Sequence, residues 1–315
     1  MAIRTDFYYP SSAPGGAQIH ACQWVPEQEP YVGVVQLIHG IAEHIGRYDA
    51  FAQFLTGHGY VVVGNDHLGH GGSAPTAEKL GWFAERDGWT HASNDTRTLQ
   101  ILTMRRFPGL PYFLFGHSMG SFLCRTDLIR FPGTADGAVL CGTGQMRTAQ
   151  LLAGRAAAQA EALRLSRRGR SPRLSQLSFG TYNRQFAPNR TAYDWLCSNE
   201  ASVDAYLADP MCGFTPTVGM FQDLMEGIAF VTAPEHLARM KKHTPVFFIA
   251  GGLDGVGENG AAVRRAYLSF KKAGMTDVDI RIYPGMRHEI LNELAKELVY
   301  DDVLLWLERK RGAVR

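Results

Sequence analysis

Short apolar runs of strand length, alternating with longer segments of helical pattern, constrain this 315-residue chain more than any other feature. β-rich runs fall at 5–9 (TDFYY), 17–24 (AQIHACQW), 31–39 (YVGVVQLIH), 59–65 (GYVVVGN), 111–116 (PYFLFG), 136–142 (DGAVLCG), 245–251 (PVFFIAG) and 278–284 (VDIRIYP). From the third onward most are apolar throughout, as expected of strands covered by helices on both faces of a parallel sheet. Helical patterns occupy roughly 47–57, 89–106, 118–131, 258–273 and 292–311. The alternation predicts an α/β fold, a mostly parallel eight-stranded sheet flanked by helices and joined by right-handed crossovers.

Between about 145 and 240 the alternation fails, and the sequence turns helical, irregular and rich in aromatics before PVFFIAG resumes it. The expected organisation is therefore a core domain of 1–144 and 241–315 with a helical cap inserted at 145–240. Open α/β sheets bind ligands outside the carboxyl ends of their strands, so an insertion that leaves such an end becomes a lid over the site.

A formal charge of +2 gives no reason to expect a nucleic-acid partner. The first residues, MAIRTDFYYPSSAPGG, lack the apolar core of a signal peptide, and no apolar run reaches bilayer length, so a cytoplasmic protein is expected. The five cysteines, Cys22, Cys124, Cys141, Cys197 and Cys212, are odd in number and show no C-x-x-C spacing. Neither a disulfide framework nor a zinc site is indicated, and they read as packed thiols. No metal or cofactor is expected, and nothing in the sequence fixes an oligomeric state.

The stretch FLFGHSMGSFLC carries a G-x-S-x-G pattern between a buried-strand run and a helical run that stops at Pro132-Gly133. Ser118 thus sits at a strand-to-helix turn. Such a turn lifts a hydroxyl out of the sheet, glycines at 116 and 120 remove clashing side chains, and the helix N-terminus faces developing negative charge. A serine needs a histidine base and an acid to orient it, in the order Ser, acid, His for this arrangement. Of eleven histidines, only His236, His243 and His288 follow Ser118. His236 lies in the insertion and His243 just precedes a strand, whereas His288 follows a strand end. Asp254 leaves the strand PVFFIAG on the same side; its competitor Glu258 falls at the start of the next helix. Asp66 follows the wrong strand and reads as a turn-holder. For the oxyanion the donors expected are the N–H groups of Met119 and of Ile41, in the loop LIHGIAEHIGRYD, with His39 and His44 holding that loop together.

HGIAEHIGRYD, DHLGHGGS, GHSMG, GGLDGVG and YPGMRHEILNE, in that order, resemble the monoglyceride lipase and lysophospholipase branch of the α/β-hydrolase superfamily, which borders the serine aminopeptidases. The resemblance runs over almost the whole chain and includes AYDWLCSNEASVDAYLADPMCGF in the insertion. It implies an α/β-hydrolase fold with a cap, a triad of Ser118, Asp254 and His288, and oxyanion donors at Ile41 and Met119. Gly255 departs from the proline expected there in many bacterial relatives.

The insertion is crowded with Phe179, Tyr182, Phe186, Tyr193, Trp195, Phe214, Met220, Phe221, Met225 and Phe230. They can pack the cap's own core, and several of them, Phe179, Tyr182, Trp195, Phe214 and Phe221 foremost, can line an apolar acyl-chain pocket. The basic run RLSRRGRSPR reads either as a solvated helix end or as a patch for transient contact with anionic lipid surfaces. The expected activity is cleavage of a small lipid ester, a monoacylglycerol or lysolipid, through an acyl-enzyme on Ser118. Two rivals remain at this stage. One is an aminopeptidase or amidase that would bind a free amine through Glu200, Asp204, Asp209 or Glu226; the other is a catalytically silent lipid-binding protein on the same fold.

Overall fold

The computed structural model describes residues 2–312. Eight strands form one sheet: β1 (Ala2–Pro10), β2 (Gln18–Pro26), β3 (Gly33–Ile38), β4 (Tyr60–Asn65), β5 (Tyr112–His117), β6 (Gly137–Cys141), β7 (Val246–Gly251) and β8 (Val278–Tyr283). Their spatial order is β1-β2-β4-β3-β5-β6-β7-β8. β1 and β2 pair antiparallel, β2 meets β4 antiparallel, and every later pairing is parallel. The eight-stranded, mostly parallel α/β architecture expected from the sequence is the one observed.

Alternation along each central strand divides the core in two. Val34, Val61, Val63, Leu114, Ala138, Leu140 and Phe248 face one side, packed against helices α2 (Gly88–Arg106) and α3 (Met119–Arg130) and a later helix, α9 (Ala261–Lys272). Val35, Leu37, Val62, Phe113, Phe115, Val139 and Ile249 face the other, against α1 (Asp49–Gly57) and the last helix, α10 (Lys296–Arg311). Successive strand residues point to opposite faces, so a strand buried on both sides has to be apolar at every position.

Between β6 and β7 the chain forms α4 (Thr148–Leu165), α5 (Pro172–Phe179), α6 (Glu200–Ala208), α7 (Val218–Thr232) and the short α8 (Pro234–Leu237). Two small apolar clusters hold the first part together: Trp195, Leu196, Cys197, Val203, Tyr206 and Cys212 in one, Ala158, Leu174, Val218 and Phe221 in the other. α7 behaves differently. Met220, Leu224, Ile228 and Val231, at helical spacing, enter the main core beneath it, followed by Leu237 and Met240. α4 to α6 and their connections roof the sheet's carboxyl edge, and α7 joins roof to sheet, with Val218 and Phe221 in the small cluster and Met220, Leu224, Ile228 and Val231 in the main core.

The basic run is internally engaged. Arg164 pairs with Glu161, Arg167 with Asp223, Arg168 with Glu85 while lying over the Trp82 ring, and Arg170 donates to the Thr215 and Leu80 carbonyls. Arg173 approaches Glu161 at 3.6 Å. Among the described residues no helix is long and apolar enough to cross a membrane, and all five cysteines are free and buried.

Candidate active site

β5 ends at His117 and α3 begins at Met119, leaving Ser118 alone at the turn with φ 52° and ψ −119°. That conformation is costly for a residue with a side chain. It is held by the Ser118 N–H, which donates to the Cys141 carbonyl at 2.9 Å, and by the Ser118 carbonyl, which accepts from the Ser121 hydroxyl at 2.6 Å. The flanking glycines are sterically required: a Cβ at 116 would sit 2.4 Å from the Gly120 carbonyl oxygen, and one at 120 would sit 2.0 Å from that of Ile38.

His288, on the loop after β8, carries its Nδ1 3.0 Å from Oδ1 of Asp254, on the loop after β7. Asp254 is fully buried, and its Oδ1 also accepts from the Val256 N–H at 2.9 Å, which fixes the carboxylate. With Nδ1–H committed to Asp254, the lone pair lies on Nε2, the tautomer a base needs. Trp195 of the roof covers the imidazole, ring centres 5.4 Å apart, and His117 flanks it at 4.8 Å. Glu258, the alternative acid, pairs instead with Arg265 at 2.7 Å. His236 donates from Nδ1 to the Phe230 carbonyl and His243 meets Thr276, and neither lines the cavity at Ser118.

Met119 opens α3, so its N–H has no partner within the helix. On the facing loop the Gly40 N–H is consumed by Oε1 of Glu43 at 2.6 Å, which leaves Ile41 as the next donor along the turn. The roof also holds this loop: the Tyr206 hydroxyl and the Gly213 N–H both donate to the Ala42 carbonyl, at 3.0 and 2.9 Å. His39 donates from Nδ1 to the Gly40 carbonyl and accepts the His67 N–H on Nε2, so it is a structural, neutral histidine. Asp66 accepts the Ile45 and Gly72 N–H groups and closes the turn in which it sits.

Ser118, His288, Ile41 and Met119 all open onto one cavity of about 960 Å³ between the roof and the sheet edge. Phe179, Tyr182, Trp195, Phe214 and Phe221 line it, whereas Phe186, Met220 and Phe230 do not. Much of the remaining wall comes from residues that the sequence alone did not single out: Gly154 and Ala157 of α4 facing Leu224, Met225 and Ile228 of α7. Gly154 lets α4 approach α7 closely, since a Cβ there would sit 2.9 Å from Sδ of Met225. Of the acidic residues considered for amine binding, Glu200 and Asp204 pair with Arg190 and Asp209 with His44, outside the cavity.

A buried charge network lies under the site and was not legible beforehand. The Arg47 guanidinium donates to Glu43 once and to Glu289 through both terminal nitrogens, each at 2.7 Å. Tyr48 donates to Glu43 at 2.8 Å, and His117 places Nδ1 3.1 Å from Glu43 and Nε2 3.4 Å from the His288 carbonyl. Burial works against each charge, but the partners outweigh it: Glu43 is held well below the usual carboxylate range by His117 and Arg47, Glu289 below it by Arg47, and His117 is raised by Glu43. Arg47 and His117 together face the two carboxylates. The E-x-x-x-R spacing of Glu43 and Arg47 was the available signal, but their partner Glu289 is 242 residues away from Arg47.

Comparison with known proteins gives a consistent pattern. A family model described as serine aminopeptidase, S33, matches residues 29–295. The chain is 30% identical over 303 residues to a monoacylglycerol lipase of Mycolicibacterium smegmatis, covering 93% of this chain and 94% of that one. It is 26% identical to human monoglyceride lipase, with 94% and 88% covered. A thermostable carboxyl esterase from Bacillus coagulans, solved with glycerol, superposes with a TM-score of 0.90 over 99% of both chains at 25% identity. A soluble variant of the Saccharomyces cerevisiae monoglyceride lipase, solved with a substrate analogue, shares the fold at a TM-score of 0.73 and 20% identity over 98% of this chain and 96% of that one.

Proposed function

The chain belongs to the serine aminopeptidase S33 family of α/β-hydrolases and is a serine ester hydrolase, and from that premise we propose that its substrate is a monoacylglycerol or a closely related monoacyl lipid. In this reading Ser118 attacks the ester carbonyl as Nε2 of His288 takes its proton, and the Ile41 and Met119 N–H groups receive the oxyanion. His288 then protonates the departing glycerol, and a water activated by the same nitrogen releases the fatty acid from Ser118. Asp254 keeps the imidazole in the required tautomer and stabilises its cation.

The observation that carries the substrate class is the cavity itself: about 960 Å³, largely apolar, lined by Ser118 at one part and by residues of α4 and α7 at another. An acyl chain fits such a wall. Among the described residues, the acids lining the cavity are already engaged: Glu43 with Arg47 and His117, Glu289 with Arg47, and Glu258 with Arg265, which speaks against a free-amine substrate. The mycobacterial and human relatives, named for monoacylglycerol hydrolysis, support the same reading.

The test is kcat/KM across monoacylglycerols of increasing chain length, with a lysophosphatidylcholine and an aminoacyl arylamide of equal concentration, and Ser118→Ala as blank. Burial of a methylene is worth up to about 0.8 kcal/mol, so each added carbon should raise kcat/KM by as much as about fourfold until the cavity is filled. Preference for the arylamide, or a flat chain-length profile, would contradict the proposal.

A further inference from the structure

Far from the cavity, on the antiparallel hairpin at the sheet's edge, three side chains with metal-ligating atoms converge. Asp6 and Cys22 are direct cross-strand partners of β1 and β2, and His20 lies two residues before Cys22 on the same face. His20 Nε2 is 3.0 Å from Asp6 Oδ1, Cys22 Sγ is 2.9 Å from the same oxygen, and Sγ to Nε2 measures 3.9 Å. A tetrahedral ion at ordinary Zn–N, Zn–O and Zn–S lengths would need edges of about 3.4–3.6 Å. Shifts of well under an ångström, outward for Asp6 and inward for the His20 ring, would supply them.

The second shell decides the matter. Nδ1 of His20 is 2.8 Å from Oδ2 of Asp66, a buried carboxylate already fixed by the Ile45 and Gly72 N–H groups. An ionised carboxylate there accepts the Nδ1 proton, while Nε2 donates to Asp6, so loss of the single Nε2 proton leaves the ring in the tautomer that turns a lone pair toward Asp6 and Cys22. This carboxylate–histidine relay is the arrangement that orients and strengthens a histidine ligand. A second cluster of the same composition, His44, Asp209 and Cys212, lacks this feature. There the Gly46 N–H donates to Nδ1 of His44 at 3.2 Å, so Nε2 carries the proton and is spent on Asp209 at 2.8 Å. The hairpin cluster also already attracts a cation: the Arg4 guanidinium reaches Asp6 at 3.1 Å and Cys22 at 3.4 Å. Arg4 has another seat, over the Trp24 ring and 3.7 Å from Asp49.

We propose that Asp6, His20 and Cys22 form a binding site for one zinc-class divalent cation, with Asp66 as the residue that positions His20 and with solvent in the fourth position. On binding, the Cys22 thiol and Nε2 of His20 each release one proton to solvent, Arg4 moves to Asp49, and the metal joins the edge strand to its neighbour. Borderline ions that accept sulfur, nitrogen and oxygen together fit this set, whereas calcium and magnesium, which require oxygen ligands, do not.

The probe is Co²⁺, titrated into the full chain after chelator treatment and in the presence of a phosphine reductant. The expected result is a saturable thiolate-to-cobalt absorption band at one equivalent, displaced by Zn²⁺, absent in Cys22→Ala and shifted to higher cobalt in the exposed-site variant Asp6→Asn. Asp66→Asn should retain the band but need roughly 10–100-fold more metal. Ester turnover reports that Asp6→Asn and Cys22→Ala are folded. Absence of a saturable band, or a band unchanged in Cys22→Ala, overturns the site.

Discussion

Glu43 touches three parts of the candidate site at once. Its Oε1 accepts the Gly40 N–H of the oxyanion loop, the Tyr48 hydroxyl, and the proton of His117, the residue immediately before Ser118. Through His117 it also reaches the carbonyl of His288. Glu43 is thus a positioning residue for the turn that carries the nucleophile and for the donor loop opposite. Glu43→Gln keeps the shape but leaves Arg47 with one anion and His117 without its counter-charge, in a site where a broken buried pair typically costs about 3–5 kcal/mol. The expected outcome is a kcat lower by one to two orders of magnitude, about 1.4–2.7 kcal/mol of barrier, with KM changed little. Because His117 then loses the group that raises it, the high-pH limb of the kcat profile should move to lower pH. A variant that loses only thermal stability, with kcat and its pH profile intact, would reduce Glu43 to a structural role.

Among the elements, the roof is a wall of the site as well as its cover. Tyr206 of α6 and Gly213 hold the Ala42 carbonyl of the oxyanion loop, and the Glu289 N–H donates to the Leu196 carbonyl at 2.7 Å, so both catalytic loops are tied to it. On the proposed reading the acyl chain passes Ala157 of α4, which lines the cavity. Ala157→Phe would place a ring opposite Leu224 and Met225, and the expected outcome is a loss of at least tenfold in kcat/KM for long acyl esters with little change for an acetyl ester; equal loss for both would show that the chain does not run between these helices. The eight strands and five principal helices were legible because burial on both faces demands unbroken apolar runs and because Ser118, Asp254 and His288 each sit just beyond a strand end. The role of α7 was not. Its aromatics and methionines suggested lining, yet Met220 is buried in the main core and Met225 lines the cavity, a choice set by which face of the helix meets the sheet. The charge network was hidden for a related reason: its members come from opposite ends of the chain and mean nothing apart.

For the whole molecule, buried histidines set the dependence of stability on pH. Burial lowers His39, lowers His67 well below its ordinary value and brings His70 to about 3, while the bond to Asp66 raises His20 and Glu43 raises His117 against burial. Below the unfolded value of about 6.5 the unfolded chain binds protons that His39, His67 and His70 resist, so these three make stability fall with acidification, while burial, which raises Asp127 to about 7 and Asp223 to about 6, offsets part of that fall. His20 and His117 act oppositely: their contribution is complete below about 6.5 and is lost as pH rises through their raised folded values. Stability should therefore peak near neutrality. Urea midpoints measured from pH 5 to 9 check this, and a midpoint still rising at pH 5 would contradict it. The central claim is narrower, that one strained serine performs the hydrolysis. Its most direct test is labelling with a fluorophosphonate followed by intact-mass and peptide mapping, with long-chain monoacylglycerol turnover measured on the same sample. A single adduct on Ser118, labelling strongly slowed in His288→Ala, and turnover lost in proportion to label are the predicted results; an adduct on another residue, or turnover persisting in fully labelled protein, would contradict the assignment.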